Sequence, residues 1–290
     1  MSGSPVPRIK DAHCAGRWYP ADPRELSALI GRFFVDTCRP RPGCVAILVP
    51  HGAYEHAGRT AAYGYAAAGN RFRRRVLVLG PSHLTALRGV ALLGVDAYRT
   101  PLGELTLDER LTATLTQHPF VRVNPAVFMR EHTVEVQLPF VQRLLPDCAL
   151  LPMLVGELTD AERATLVDAL RPLLVPENLV IVSSDLVHYG RRFQFLPVPP
   201  TDAETVRATV RRLDDGALEH VLVPDADALQ RFCTESGANV CGREALAVVL
   251  AALPAGVRGE RLAYATSLGV TGEYESTVSY AAVAFAPPPE

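Results

Sequence analysis

Four uninterrupted apolar runs, CVAILVP (44–50), RVLVLG (75–80), ALLPMLVG (149–156) and NLVIVSSD (178–185), alternate with segments of helical periodicity. A strand that is apolar on both faces must be covered on both faces. The alternation therefore predicts an α/β fold: a central mixed, mostly parallel sheet with helices on either side. GVALLG (89–94) reads as a further strand, and TPLGE within Arg99–Asp108 as a turn feeding another element. RLAYATS and TVSYAAVAF read as late strands, the second alternating enough for an edge or for antiparallel pairing.

Helix signals fill the intervals. Asp22 is placed as an N-cap, with Pro23 where a missing N–H costs little and Glu25 able to reach back. Leu26, Leu29, Ile30, Phe33 and Phe34 then recur at helical spacing until RPRPG closes the segment. Small residues around Thr60–Ala68 suggest a tightly packed helix. Thr133–Leu145 and Thr159–Leu174 read as further helices, and two or three more fill Thr201–Leu253, interrupted at Asn239–Gly242. No repeat, low-complexity tract or long linker divides the 290 residues, and the Gly/Pro-rich patches at 39–43 and 196–200 read as loops. One domain over 1–290 is expected, with a frayed PPPE tail.

Charge narrows the function classes. A net charge of -2 and a pI near 6.5 favour neither nucleic acid nor a membrane surface as partner. Almost all the positive charge is arginine, and Lys10 is the only lysine. The six cysteines contain no C-x-x-C pair, which fits neither a zinc ribbon nor a small disulfide scaffold. The N-terminus has no cationic segment followed by an apolar run, and no apolar stretch reaches ~18 residues. Reduced thiols in a cytoplasmic protein are the expectation.

In open α/β sheets ligands bind beyond the carboxyl ends of the strands. Three of the buried runs deliver polar residues there: His51 after the first, His83 after the second, Asp185 and then His188 after the fourth. A lone histidine at such a place is more often structural, but three coincident strand ends favour a metal pocket. Imidazole and carboxylate suit Fe, Zn, Cu or Mn, and two histidines with one anion leave coordination positions open. Asp185 and Cys241 are both candidates for the third ligand, and the residues leave that choice open. Glu131-His132 adds another acid and imidazole.

Blander roles compete for each residue. Cys241 reads equally as an inert buried thiol or as a nucleophile, and Asp185 as a helix cap. Trp18-Tyr19-Pro20 suits core packing or a pocket mouth. Ser82 beside His83 lies in no G-x-S-x-G elbow, and Gly52, Gly80 and Gly242 belong to no phosphate-binding motif.

The series AGRWYP, VPHGAYEHAG, LGPSH, TPLGEL, EHTVEVQLPF, SSDLVHYG, NVCGREA and TVSYA closely resembles the MEMO family, which includes the AmmeMemoRadiSam system protein B type. The resemblance runs from about residue 13 to the last strand. That family is similar to the catalytic subunit of LigB-type extradiol dioxygenases. The resemblance implies a LigB-dioxygenase-like fold and a non-haem Fe(II) redox centre, with Cu or Zn as the alternatives. It implies His51, His83 and Cys241 as metal ligands, with Asp185, His188 and His132 as supporting acid/base groups. It further implies a small-molecule or peptide ligand in the pocket and a radical-SAM system protein as partner. Two other functions stay open: a non-catalytic peptide- or metal-binding protein on the same scaffold, and a metal- or thiol-dependent hydrolase. This chain departs from the usual PHAGY and GPSHH by reading PHGAY and placing Leu84 after His83.

Overall fold

The computed structural model describes residues 8–70 and 73–288. The expected absence of a leader at residues 1–7 and the last two residues of the PPPE tail lie outside the described residues. Twelve strands are present among the described residues: β1 (Ile9–Asp11), β2 (Ala46–Val49), β3 (Arg75–Gly80), β4 (Val90–Leu92), β5 (Ala97–Thr100), β6 (Gly103–Thr106), β7 (Val121–Val123), β8 (Ala149–Val155), β9 (Asn178–Ser183), β10 (His188–Gly190), β11 (Arg258–Thr266) and β12 (Ser276–Ala286). The helices are α1 (Pro23–Phe33), α2 (Arg59–Ala68), α3 (Glu109–Leu115), α4 (Leu138–Leu144), α5 (Asp160–Leu170), α6 (Ala203–Leu222), α7 (Ala226–Ser236), α8 (Arg243–Ala252) and α9 (Ser267–Thr271).

Nine strands form the main sheet in the order β10-β12-β2-β9-β3-β8-β4-β7, with β11 also paired to β12. Its centre, β2-β9-β3-β8, is parallel throughout. The joins to β12 and β4 are antiparallel, and β4 and β7 are parallel again. The sheet is thus mixed, with its parallel ladder where the sequence runs are most apolar. β12 is no edge strand: β2 and β11 both pair with it antiparallel, and most of it is buried. A smaller sheet, β1-β5-β6, contains the turn expected at TPLGE, which joins β5 and β6 as a hairpin.

Side-chain alternation within the central strands builds two cores. Ala46 and Leu48 of β2, Leu77 and Leu79 of β3, and Val180 and Val182 of β9 face a cluster shared with α5, α6 and α8. Ile47 and Val49, Val76 and Val78, and Leu179 and Ile181 point the other way, onto α1, α2 and α4. α1 starts as predicted, with Asp22 accepting from the backbone N–H groups of Arg24 and Glu25. α5 carries a full capping box, Thr159 with Glu162. The segment predicted as one helix from Thr133 begins instead as a loop and a short 3₁₀ turn at Glu135–Gln137 before α4. No helix among the described residues is long and apolar enough to cross a membrane.

Candidate metal centre

Three adjacent parallel strands, β2, β9 and β3, release the chain at the same end of the sheet. His51 follows β2, Asp185 follows β9 and His83 follows β3, as strand logic predicts. Two further loops close over them. Thr133 Oγ1 donates to the Pro81 carbonyl at 2.8 Å, and a side chain at Gly80 would strike Thr133, so glycine lets the 131–133 loop lie on the β3 turn. On the opposite flank a Cβ at Gly242 would stand 2.5 Å from Ser184 Cβ, and the Gly242 N–H donates to Ser184 Oγ at 2.9 Å. That close approach brings Cys241 to the end of β9.

The result is a cluster of imidazoles. Nitrogen atoms of His51, His83 and His132 all lie within 4.8 Å of one another. The three ring pairs have equal centroid separations of 5.3 Å. His51 is the hub, with its Nε2 3.3 Å from His83 Nε2 and 3.2 Å from Cys241 Sγ. Ligand atoms around a tetrahedral ion with bonds of 2.0–2.3 Å stand roughly 3.3–3.7 Å apart, and the 3.3 Å His51–His83 contact fits one ion between the imidazoles. His132 joins His51 and His83 in the nitrogen cluster, whereas Cys241, expected as the third ligand, adjoins it at His51. Trp18 covers His132, the two rings stacked at 3.9 Å.

Hydrogen bonds decide which nitrogen of each ring is bare. Gln137 Nε2 donates to the Pro50 carbonyl and to Ser183 Oγ, and Ser183 spends its own proton on the Thr133 carbonyl. Ser183 Oγ is then left to accept from His51 Nδ1 at 3.2 Å, which puts the His51 proton on Nδ1 and leaves Nε2 open to the cluster. His132 is fixed the same way, since its Nδ1 faces Glu131 Oε1 at 3.1 Å. Glu131 also accepts from the backbone N–H groups of His132 and His83, at 2.8 and 2.6 Å. Burial opposes its ionisation, but these bonds and the neighbouring imidazoles outweigh burial and hold the carboxyl at about 2. One ionised glutamate thus orients the His132 ring and holds the His83 backbone, a role that Glu131, next to His132, showed in sequence only as an extra acid.

Asp185 caps no helix. Its carboxylate accepts from the His51 backbone N–H at 2.8 Å and from that of Gly52, and lies 3.8 Å from His51 Nε2. Burial pushes it up to about 7 against those bonds and the nearby His132. His188 is held by a reciprocal pair of bonds with Asn239 and presents Nδ1 to the Leu186 carbonyl at 2.9 Å. Burial lowers it to about 4, so it is neutral at pH 7. The Cys241 thiol accepts from the Asp185 backbone N–H at 3.2 Å, and burial followed by the Asp185 charge pushes its pKa up. The six cysteines are free thiols.

Two expected results follow. Ser183→Ala removes the acceptor that fixes the His51 tautomer, and metal affinity should fall by roughly 10–100-fold, as for other outer partners of a ligand. Isothermal titration with Zn(II) checks this, and unchanged affinity would sink the tautomer assignment. The second result concerns pH. A histidine whose folded pKa is depressed contributes stability that is present above its unfolded value and lost as pH falls. With His188 moved from 6.5 to about 4, the stability of metal-free wild type minus that of His188→Gln should drop by up to about 3 kcal/mol between pH 6.5 and 4. Urea denaturation across that range measures it, and a flat difference would show that His188 is not buried as a neutral ring.

The Memo-like protein family model matches residues 10–284. The "Protein memo-1 homolog" of Caenorhabditis elegans is 30% identical over 249 residues, 84% of this chain and 71% of that protein. "Protein MEMO1" of Xenopus laevis is 30% identical over 285 residues, 94% of this chain and 96% of that protein. Among solved structures, uncharacterized protein JW3007 from Escherichia coli K12 superposes with a TM-score of 0.48 at 14% identity, covering 82% of this chain and 98% of that one. With the motifs in order and the match spanning nearly every element, the chain belongs to the Memo-like family.

Proposed function

We propose that this protein is a metal-dependent redox protein whose centre holds a non-haem divalent iron on His51, His83 and His132, with Cys241 as the adjoining thiolate. The observation that carries the reading is the convergence of imidazole nitrogens, at least two of them held bare by hydrogen bonds to the opposite ring atom. A cluster of three imidazoles around one point suits Fe, Cu or Zn in preference to Mg or Ca. Bound iron would supply electron transfer and open coordination positions. The surrounding residues supply the rest. Asp185, near neutrality and 3.8 Å from His51, can hold or release a proton within the working pH range. His188, neutral and with its Nδ1 proton on a carbonyl, offers Nε2 as a base. Trp18 and the 131–133 loop keep water from one side of the imidazoles.

Anaerobic purification followed by elemental analysis should find about one iron per chain after loading with Fe(II). Nitric oxide should then give an electron paramagnetic resonance signal of an iron nitrosyl. Failure of wild type to retain Fe(II), Cu or Zn at micromolar free metal would refute the metal centre. Retention of zinc alone, with no iron signal, would refute the redox reading.

A further inference from the structure

An open cavity of about 460 Å³ lies against the cluster on the Cys241 side. Pro81 and Ser82, the two residues before His83, form one wall, and Cys241 and Gly242 form another. Val155, Gly156 and Ala245 give it an apolar floor, and four charged side chains, Arg88, Glu157, Arg243 and Glu244, line its far end. These charges differ in what engages them. Glu244 is held by Gln230 at 2.9 Å and by Arg163 at 3.1 Å, and Arg163 also pairs with Asp160 at 2.8 Å. Glu157 pairs with Arg88 at 3.5 Å, with both side chains largely in water. Among the described residues Arg243 makes no ion pair, so its guanidinium is the cavity's cation open to a ligand.

We infer that this cavity is a substrate subsite and that Arg243 receives a carboxylate of a small molecule whose reacting end reaches the metal cluster. A guanidinium fork matches a carboxylate in two parallel hydrogen bonds. The balance of charge favours a monoanion: one carboxylate neutralises Arg243, whereas a phosphate dianion would leave a net negative charge beside Glu157 and Glu244. The position matters as much as the charge. Arg243, two residues from Cys241, and Ser82, next to His83, line the same cavity. As a substrate subsite the inference rests on the metal reading above, but carboxylate binding at Arg243 is measurable without any metal.

The probes are propionate and inorganic phosphate, titrated into metal-free and Fe(II)- or Zn(II)-loaded full-length protein, with binding followed by NMR of arginine side-chain N–H resonances. Propionate should perturb one arginine resonance that is missing in Arg243→Gln, and Arg243→Gln should bind at least about tenfold more weakly. Arg243→Lys should recover part of that loss, since charge returns without the fork. Arg88→Gln should lose no more than about threefold. Phosphate should bind more weakly than propionate. Equal binding by wild type and Arg243→Gln, or tighter binding of phosphate, overturns the inference. Metal content is measured on the same samples. Wild type that binds propionate but holds no metal refutes the centre and keeps the carboxylate site, while wild type that holds metal but binds no propionate refutes the site alone.

Discussion

His51→Ala is expected to lower Fe(II) affinity by roughly 10³-fold or more, beyond the 10–100-fold typical of a partner that only orients a ligand. His51 is the one imidazole in contact with both other kinds of donor, His83 Nε2 at 3.3 Å and Cys241 Sγ at 3.2 Å. It is 1% exposed, so no water-filled route lets another side chain take its place. Competition against a chromophoric chelator under anaerobic conditions measures the loss, and thermal melting of the metal-free variant shows that it remains folded. A variant that keeps wild-type affinity would place the ion elsewhere. The same assay ranks the third donor. His132→Ala should cost more than Cys241→Ser, because the His132 ring is aimed by Glu131, whereas the thiol must first give up a proton that burial holds on it. The reverse order would assign the third position to Cys241.

Glu135→Ala should destabilise the metal-free protein by about 3–5 kcal/mol, the cost of breaking a buried ion pair from one side. Glu135 has no solvent exposure. Its carboxylate accepts from the backbone N–H groups of His13 and Cys14 at 2.9 and 2.6 Å. The hydroxyls of Tyr19 and Tyr98 donate to it at 2.8 and 2.9 Å. Lys10, the chain's only lysine, stands 3.8 Å away with its side chain 4% exposed. Removing Glu135 leaves four donors and one buried ammonium without their shared acceptor. Lys10→Met combined with Glu135→Gln should recover much of the loss, because no unpaired charge then remains. Urea denaturation measures both variants. A loss below about 1 kcal/mol for Glu135→Ala would mean that water reaches the network.

This network also shows where sequence reading stops. In EHTVEVQLPF, Glu131 and Glu135 look alike: each is an acid near a hydrophobic segment. Position in space separates them. Glu131 turns toward the strand ends and orients imidazoles, and Glu135 turns toward β1 and the Trp18 turn and ties the N-terminal segment to the body of the fold. Lys10, in sequence only the chain's single lysine, is a buried partner of Glu135. Gln137 and Ser183 lie inside apolar stretches with no motif of their own, yet their hydrogen bonds set the His51 tautomer. Their only sequence signal is a polar residue where the apolar pattern calls for none.

The sequence by itself determined the layers and the end of the sheet that carries chemistry. Apolar runs of strand length must be buried on both faces, and polar residues that follow them must emerge beyond their carboxyl ends. That placed His51, His83, Asp185 and His188 in one region with Cys241 and His132 as further candidates, and the family resemblance implied which of them are ligands. Only the tertiary structure decided which of those residues touch. Whether His132 joins the imidazole cluster depends on a loop laid across Gly80 by a single threonine, and whether Cys241 touches His51 depends on a glycine packed against Ser184. These are separations of a few ångströms between segments far apart in the chain. Periodicity fixes the face a residue lies on, and close packing alone fixes its distance from a partner.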